Sequence, residues 1–169
     1  NDLIVGAGFA ENGEDSGKVY IFFGDGTGSF SGAPILDAAT ADIIIAGANP
    51  SDFFGAALAV TDINDDGRLD LVIGAPGTDF TGEDAGSVYL FFNQGSPSYF
   101  ATSPTLANGR IDGNQAFSEF GSYVAVADLN KDGRPDLAIG APLFDMGTTS
   151  DVGAIYTFFN QGAPNYFVN

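Results

Sequence analysis

Two nine-residue segments concentrate side-chain oxygens in this chain: Asp62-Ile63-Asn64-Asp65-Asp66-Gly67-Arg68-Leu69-Asp70 and Asp128-Leu129-Asn130-Lys131-Asp132-Gly133-Arg134-Pro135-Asp136. Both set Asp, Asn, Asp and Asp at positions 1, 3, 5 and 9, with Gly at position 6. Alternate side chains of a tight loop point to a common centre, Gly permits the sharp reversal, the position 7 carbonyl turns inward and the last Asp closes the cage. Hard oxygen donors in that number suit Ca²⁺, which takes about six to eight ligands, better than Mg²⁺ with its strict octahedron. Three carboxylates around one point repel one another in a partly dehydrated loop, so the arrangement calls for a cation.

A single segment of this kind reads equally well as a solvated Asx-rich turn. Two with the same spacing, each opening the same strand-like sequence, point to calcium. An EF-hand does not fit, because position 12 is Ile73 or Ile139 instead of a bidentate Glu, and Pro135 and the exits DLVIGAP and DLAIGAP are not helical. These are strand-connecting loops. Lys131 stands at position 4 of the second where the first has Asp65, so the first site is expected to bind more tightly.

The surroundings of the loops repeat with them. Phe54-Gly55, residues 62–70 and the LVIGAP of residues 71–76 return 66 residues later as Phe120-Gly121, residues 128–136 and LAIGAP. A second block, DAGSVYLFFNQG at 84–95, recurs as DVGAIYTFFNQG at 151–162 and earlier as DSGKVYIFFGDG at 15–26. The opening DLIVGAG aligns with DLVIGAP, so the first copy is expected to be cut, and the last copy to be cut after NQGAPNYFVN. The chain is an array of about two and a half units of one kind.

Within a unit, short apolar runs alternate with Gly, Asn, Asp and Pro, and no stretch keeps a helical apolar period for three turns. The predicted class is all-β, with strands near residues 55–60, 70–73 and 87–92 and a weaker one near 106–111. The run Val88-Tyr89-Leu90-Phe91-Phe92 is apolar at consecutive positions, so both of its faces should be covered by stacked sheets. Asn93-Gln94-Gly95, Asn160-Gln161-Gly162 and Gly24-Asp25-Gly26 read as turns. The pairs Glu14-Asp15 and Glu83-Asp84 read as solvated turns, and Glu119 receives no role. The recurring tyrosines Tyr89, Tyr99, Tyr156 and Tyr166 read as core packing more readily than as a ligand platform.

Composition narrows the chemistry. Among 169 residues there are 22 acidic and 5 basic side chains and no His, Cys or Trp, which removes disulfides, thiolate nucleophiles, imidazole ligands and catalytic triads. The net charge of −17 repels nucleic-acid phosphates and anionic lipid heads. Apolar residues at 44%, including 16 Phe, exceed what a disordered acidic tail carries. No apolar run approaches the roughly 18 residues of a membrane span, and Asn1 opens no signal-peptide pattern, so a soluble, mature chain is expected.

The ordered set Phe-Gly, DxNxDGxxD and Gly-Ala-Pro, present twice, resembles FG-GAP repeats, the blades of the integrin alpha-subunit β-propeller and of many secreted bacterial proteins. The resemblance implies calcium ligands Asp62, Asn64, Asp66, the Arg68 carbonyl and Asp70 at one site, and Asp128, Asn130, Asp132, the Arg134 carbonyl and Asp136 at the other. It implies FG-GAP β-propeller-type blades: a partial blade over residues 1–53 lacking its first strand, a complete one over 54–119 and a partial one over 120–169. Some ten strands grouped three, four and three cannot close a ring of about four to eight blades. Both ends are therefore expected to be open. The expected protein is a non-catalytic, extracellular, calcium-binding structural or adhesive building block. It would pair through open strand edges with copies of itself or with further FG-GAP repeats, as an oligomer or filament, and could take a protein or glycan ligand. An accessory propeller fragment of a larger secreted hydrolase, or an integrin-like ligand-binding protein, is the alternative.

Overall fold

Apolar runs of four to six residues broken by Gly, Asn and Asp are too short for helices and form strands. The computed structural model describes residues 2–10, 14–24, 37–164 and 166–167. Among these lie ten strands in three antiparallel sheets. The first sheet holds β1 (Leu3–Ala7), β2 (Lys18–Phe22) and β3 (Ile43–Ala46). The second holds β4 (Ala57–Thr61), β5 (Asp70–Ala75), β6 (Ser87–Phe91) and β7 (Gly109–Asp112). The third holds β8 (Tyr123–Ala127), β9 (Asp136–Ala141) and β10 (Ala154–Phe158). Each sheet is a meander in which strands adjacent in sequence pair, as in Ile73 opposite Tyr89 and Ile139 opposite Tyr156. The all-β expectation holds.

Two strand starts differ from the sequence reading. The strand expected from Gly55 begins at Ala57, because Gly55 sits at φ +92°, outside extended backbone. The strand expected from Leu106 begins at Gly109: Ser103 accepts a hydrogen bond from the Thr105 N–H, Pro104 opens a 3₁₀ turn, and Leu106 ends it. The turns at 93–95 and 160–162 hold Gly95 and Gly162 at φ +74° and +75°. In the third such turn, Asp25 and Gly26 lie outside the described residues.

Every residue of β5 and β6 is buried, as expected for strands covered on both faces. Alternation divides them between two cores. Leu71, Ile73, Tyr89 and Phe91 pack with Val19, Ile21 and Ile45 of the first sheet, around Phe54. Val72, Val88 and Leu90 pack with Leu137, Ile139 and Phe158 of the third sheet, around Phe120. Phe54 meets Tyr89 and Phe91 edge-on at 5.7 and 6.1 Å, and Phe120 meets Tyr156 and Phe158 at 5.2 and 6.2 Å. Each fully buried Phe contributes roughly 1.5–3 kcal/mol relative to an exposed one. The tyrosines are thus packing residues: Tyr99 lies on Phe23 and Tyr166 on Phe92.

A main-chain latch joins each sheet to the next. The N–H groups of Ser51, Phe53 and Phe54 donate to the carbonyls of Glu14, Asp15 and Ser16 at 2.6, 3.1 and 3.1 Å. The N–H groups of Phe117, Glu119 and Phe120 donate likewise to Glu83, Asp84 and Ala85 at 2.7, 3.0 and 3.1 Å. Asp15 and Asp84, both at φ +47°, bend the acceptor segments. The approach is so close that a Cβ on Gly17 or Gly86 would lie 2.1 or 2.0 Å from the carbonyl oxygen of Phe54 or Phe120. The acidic pairs therefore do more than solvate a turn, and Glu119 acts through its main chain.

Candidate metal centre

The first nonapeptide joins β4 to β5 and the second joins β8 to β9, so each loop hangs between two paired strands that fix its ends. Inside each loop the first Asp curls the chain around itself. Asp62 accepts from the N–H groups of Asp66 and Gly67 at 3.1 and 2.7 Å, and Asp128 accepts from Asp132 and Gly133 at 3.1 and 2.9 Å. Asn64 and Asn130 accept from the same N–H as the first Asp, that of Asp66 or Asp132. Asp66 and Asp132 accept from the N–H of Arg68 and Arg134, both at 2.9 Å. Position 4 turns through φ +59° at Asp65 and +67° at Lys131, and Gly67 and Gly133 follow at +81° and +88°. The side chains of positions 1, 3 and 5 are thereby brought together in both loops.

Position 9 anchors the loop to the sheet. Asp70 and Asp136 are fully buried. Asp70 accepts from the N–H groups of Ile63 and Asn93, both at 2.9 Å. Asp136 accepts from Leu129 at 2.8 Å and from Asn160 at 2.9 Å. Burial pushes the Asp70 carboxyl above the usual carboxylate range, and Asp66 adds to the rise while the Asn93 and Ile63 N–H groups oppose it. At Asp66 desolvation is outweighed by the Arg68 N–H, Asn64 and the Arg68 guanidinium, which together hold its carboxyl low. That guanidinium lies 2.8 Å from Asp66, whereas the Arg134 counterpart is 3.9 Å from Asp132.

Among the described residues, no three acidic side chains stand grouped as a ready metal cage. The carboxylates are engaged by N–H groups and, in the first loop, by Arg68. The donor chemistry nevertheless fits a hard divalent cation. Each loop carries Asp, Asn and Asp oxygens that share main-chain donors, ahead of a buried Asp, and hard oxygen donors of this kind suit Ca²⁺.

The asparagines of the turns after β6 and β10 also serve these loops, a role the sequence reading did not give them. Asn93 and Asn160 donate their main-chain N–H to the position 9 Asp and cap their own turns by accepting from Gly95 and Gly162. Asn160, fully buried, also donates its side-chain amide to the Ile63 carbonyl at 3.0 Å, across to the first loop. A hydrogen-bonded chain therefore runs from Asp136 through Asn160 and Ile63 to Asp70 and Asn93. Recurrence of Asn at the same offset from the aromatic strand was the available signal.

Comparison with known proteins bears on these residues. A model of the FG-GAP repeat matches residues 54–91 and 120–158, each match running from the latch Phe through one acidic loop to the aromatic strand. Phosphatidylinositol-glycan-specific phospholipase D of Rattus norvegicus is 40% identical over 110 residues, covering 63% of this chain and 13% of that protein. Integrin alpha-IIb of Mus musculus is 39% identical over 121 residues, covering 68% of this chain and 11% of the integrin. Integrin alpha-7 of Mus musculus is 42% identical over 103 residues, or 60% and 8%. The chain thus matches only about an eighth or less of the length of these relatives.

Proposed function

Because the chain is an FG-GAP repeat protein related to segments of integrin alpha subunits and of phosphatidylinositol-glycan-specific phospholipase D, we propose that it is a calcium-braced structural or adhesive module of the cell exterior, without catalysis of its own. Its sheets are propeller-type blades with open ends. The two loops bind Ca²⁺ through Asp62, Asn64, Asp66, the Arg68 carbonyl and Asp70, and through Asp128, Asn130, Asp132, the Arg134 carbonyl and Asp136.

The observation that carries this reading is the matching hydrogen-bond pattern of the two loops, each pinned to its sheet by a buried Asp. A bound ion would neutralise carboxylates that otherwise repel and would tie the entry of one strand to the exit of its neighbour. Extracellular calcium is abundant enough to fill even modest sites, with Kd around 10⁻⁴–10⁻³ M. No helix among the described residues is long and apolar enough to cross a membrane.

Isothermal calcium titration tests the metal: two sites are expected, one lost in Asp62→Ala and the other in Asp128→Ala. Heat evolution that is absent, or unchanged in both variants, refutes it. Light scattering and electron microscopy with calcium and then with chelator test assembly, where oligomers or filaments that dissolve on chelation are expected. The second reading, an accessory part of a larger secreted hydrolase, is favoured by the 40% identity to a phospholipase. Full-length sequence of the parent gene decides between the two.

A further inference from the structure

The two acidic loops are connected to each other through one fully buried side chain, Asn160. Its main-chain N–H donates to Asp136 of the second loop at 2.9 Å, and its side-chain oxygen accepts from the Gly162 N–H at 2.9 Å. Its side-chain amide donates to the Ile63 carbonyl of the first loop at 3.0 Å. Ile63 in turn donates its N–H to Asp70 at 2.9 Å. Three hydrogen bonds therefore separate the buried Asp of one loop from the buried Asp of the other. The Asn93 amide, in the same kind of turn, donates to Leu69 of its own loop at 3.2 Å, so the turn itself does not require the long reach. Ile63 is held by its side chain as well: it is 2% exposed and packs with Leu137 and Phe158 of the third sheet, whereas Leu129, at the same position of the second loop, is 46% exposed. The loops also share a narrow cleft, which Asp62, Asn64 and Asp65 line together with Arg134, Pro135 and Gly162.

We propose that Asn160 couples the two loops, so that calcium held by one raises the affinity of the other. The proposal rests on the calcium reading above and adds a positioning residue to it. An ion in a loop needs the buried Asp held still, and each Asp is steadied by the N–H groups that it accepts from. Fixing Asp70 fixes the Ile63 peptide, whose carbonyl orients the Asn160 amide and with it the N–H on Asp136. This bridge cannot slip without leaving a donor and an acceptor unpaired away from water. The ordering cost met by the first ion is therefore not met again by the second, and linkage makes the effect equal in both directions. Repulsion between two bound ions acts the other way. The loop residues 65–69 and 128–134 are exposed, however, and at 0.15 M salt the screening length is about 8 Å.

The test is calcium titration of the full chain at 0.15 M salt. The second site of the parent chain fills with the first already occupied, whereas in Asp66→Ala it fills beside an impaired first loop. Its affinity is expected to be about five-fold or more weaker in Asp66→Ala. Asn160→Ser keeps the main-chain N–H and a turn-capping oxygen but is too short to reach Ile63. In that background both sites are expected to persist, while the penalty of Asp66→Ala shrinks to less than about two-fold. A purely structural role for Asn160 would lower the melting temperature and leave that ratio unchanged. Amide hydrogen exchange reads the same coupling with Asn160 in place: in Asp66→Ala, calcium at the second loop is expected to slow exchange of the Ile63 N–H several-fold. Equal affinities in the parent and Asp66→Ala, a penalty that survives Asn160→Ser, or Ile63 exchange that calcium does not move overturns the coupling. Two independent sites would leave the calcium reading standing without it, and no calcium binding at either loop would remove both.

Discussion

Asp65 and Lys131 stand at the same left-handed position of two otherwise matching loops and face the solvent, so they alter the field at each site without altering its donors. The first loop is also the more enclosed, with Ile63 buried and its carbonyl held by Asn160. Calcium should therefore fill the first site at several-fold lower concentration. Titrating Asp132→Ala, which keeps the first site, should show tighter binding than Asp66→Ala, which keeps the second; the reverse order refutes the ranking. Tyr89 supplies a separate test. Burial, with Asp52 nearby, pushes its hydroxyl from 10.0 up to about 12. The folded state thus holds a proton that the unfolded chain releases near pH 10, so stability is intact below pH 10 and falls as pH rises toward 12. Denaturant melts across that window should show a decline that is shallower in Tyr89→Phe, and equal slopes would exclude it. At this scale the matching form of the two acidic loops was legible because their spacing is a side-chain pattern. Asn160 was not, because its partner Ile63 lies 97 residues away and accepts through a main-chain carbonyl that every residue type offers.

Gly86 and Gly153 are the same element position in two environments. Both have positive φ, so Ala strains either backbone, but only Gly86 lies against the Phe120 carbonyl. Gly86→Ala should cost at least about 2 kcal/mol more than Gly153→Ala, since the latch must open to make room. Urea denaturation of the two variants measures the difference, and equal losses would remove the latch from the account of stability. The strands were readable from their apolar runs, and the double-sided burial of β6 from its lack of alternation. Which neighbour each face meets was not readable, since alternation names two sides without naming their occupants. The latch was hidden for a related reason: its acceptors are carbonyls of Glu83 and Asp84, whose side chains suggest only a wet turn.

For the whole molecule, 22 acidic groups against 5 basic ones make self-repulsion a standing cost of the compact state. Calcium that binds the folded loops and not the unfolded chain should raise the melting temperature, by about 2.7 kcal/mol of stabilisation per site at a hundred-fold excess over Kd. Thermal melts with calcium and then with chelator check this, and superimposable curves would leave the loops as metal-free turns. The three-sheet plan was readable from the repeat because each copy carries the same turns and strands. The repeat was silent on how one sheet leans on the next.

The second sheet has no private interior. Leu71 and Ile73 belong to one neighbour, Val72 to the other, and the same partition runs through β6. It works as a party wall, plastered on both sides by different tenants. Shifting β5 by one residue relative to β6 would turn each set toward the wrong tenant, so a single inserted residue there would ruin two seams at once. Change in such an array is therefore tolerated most readily in whole units, added or removed with their walls intact.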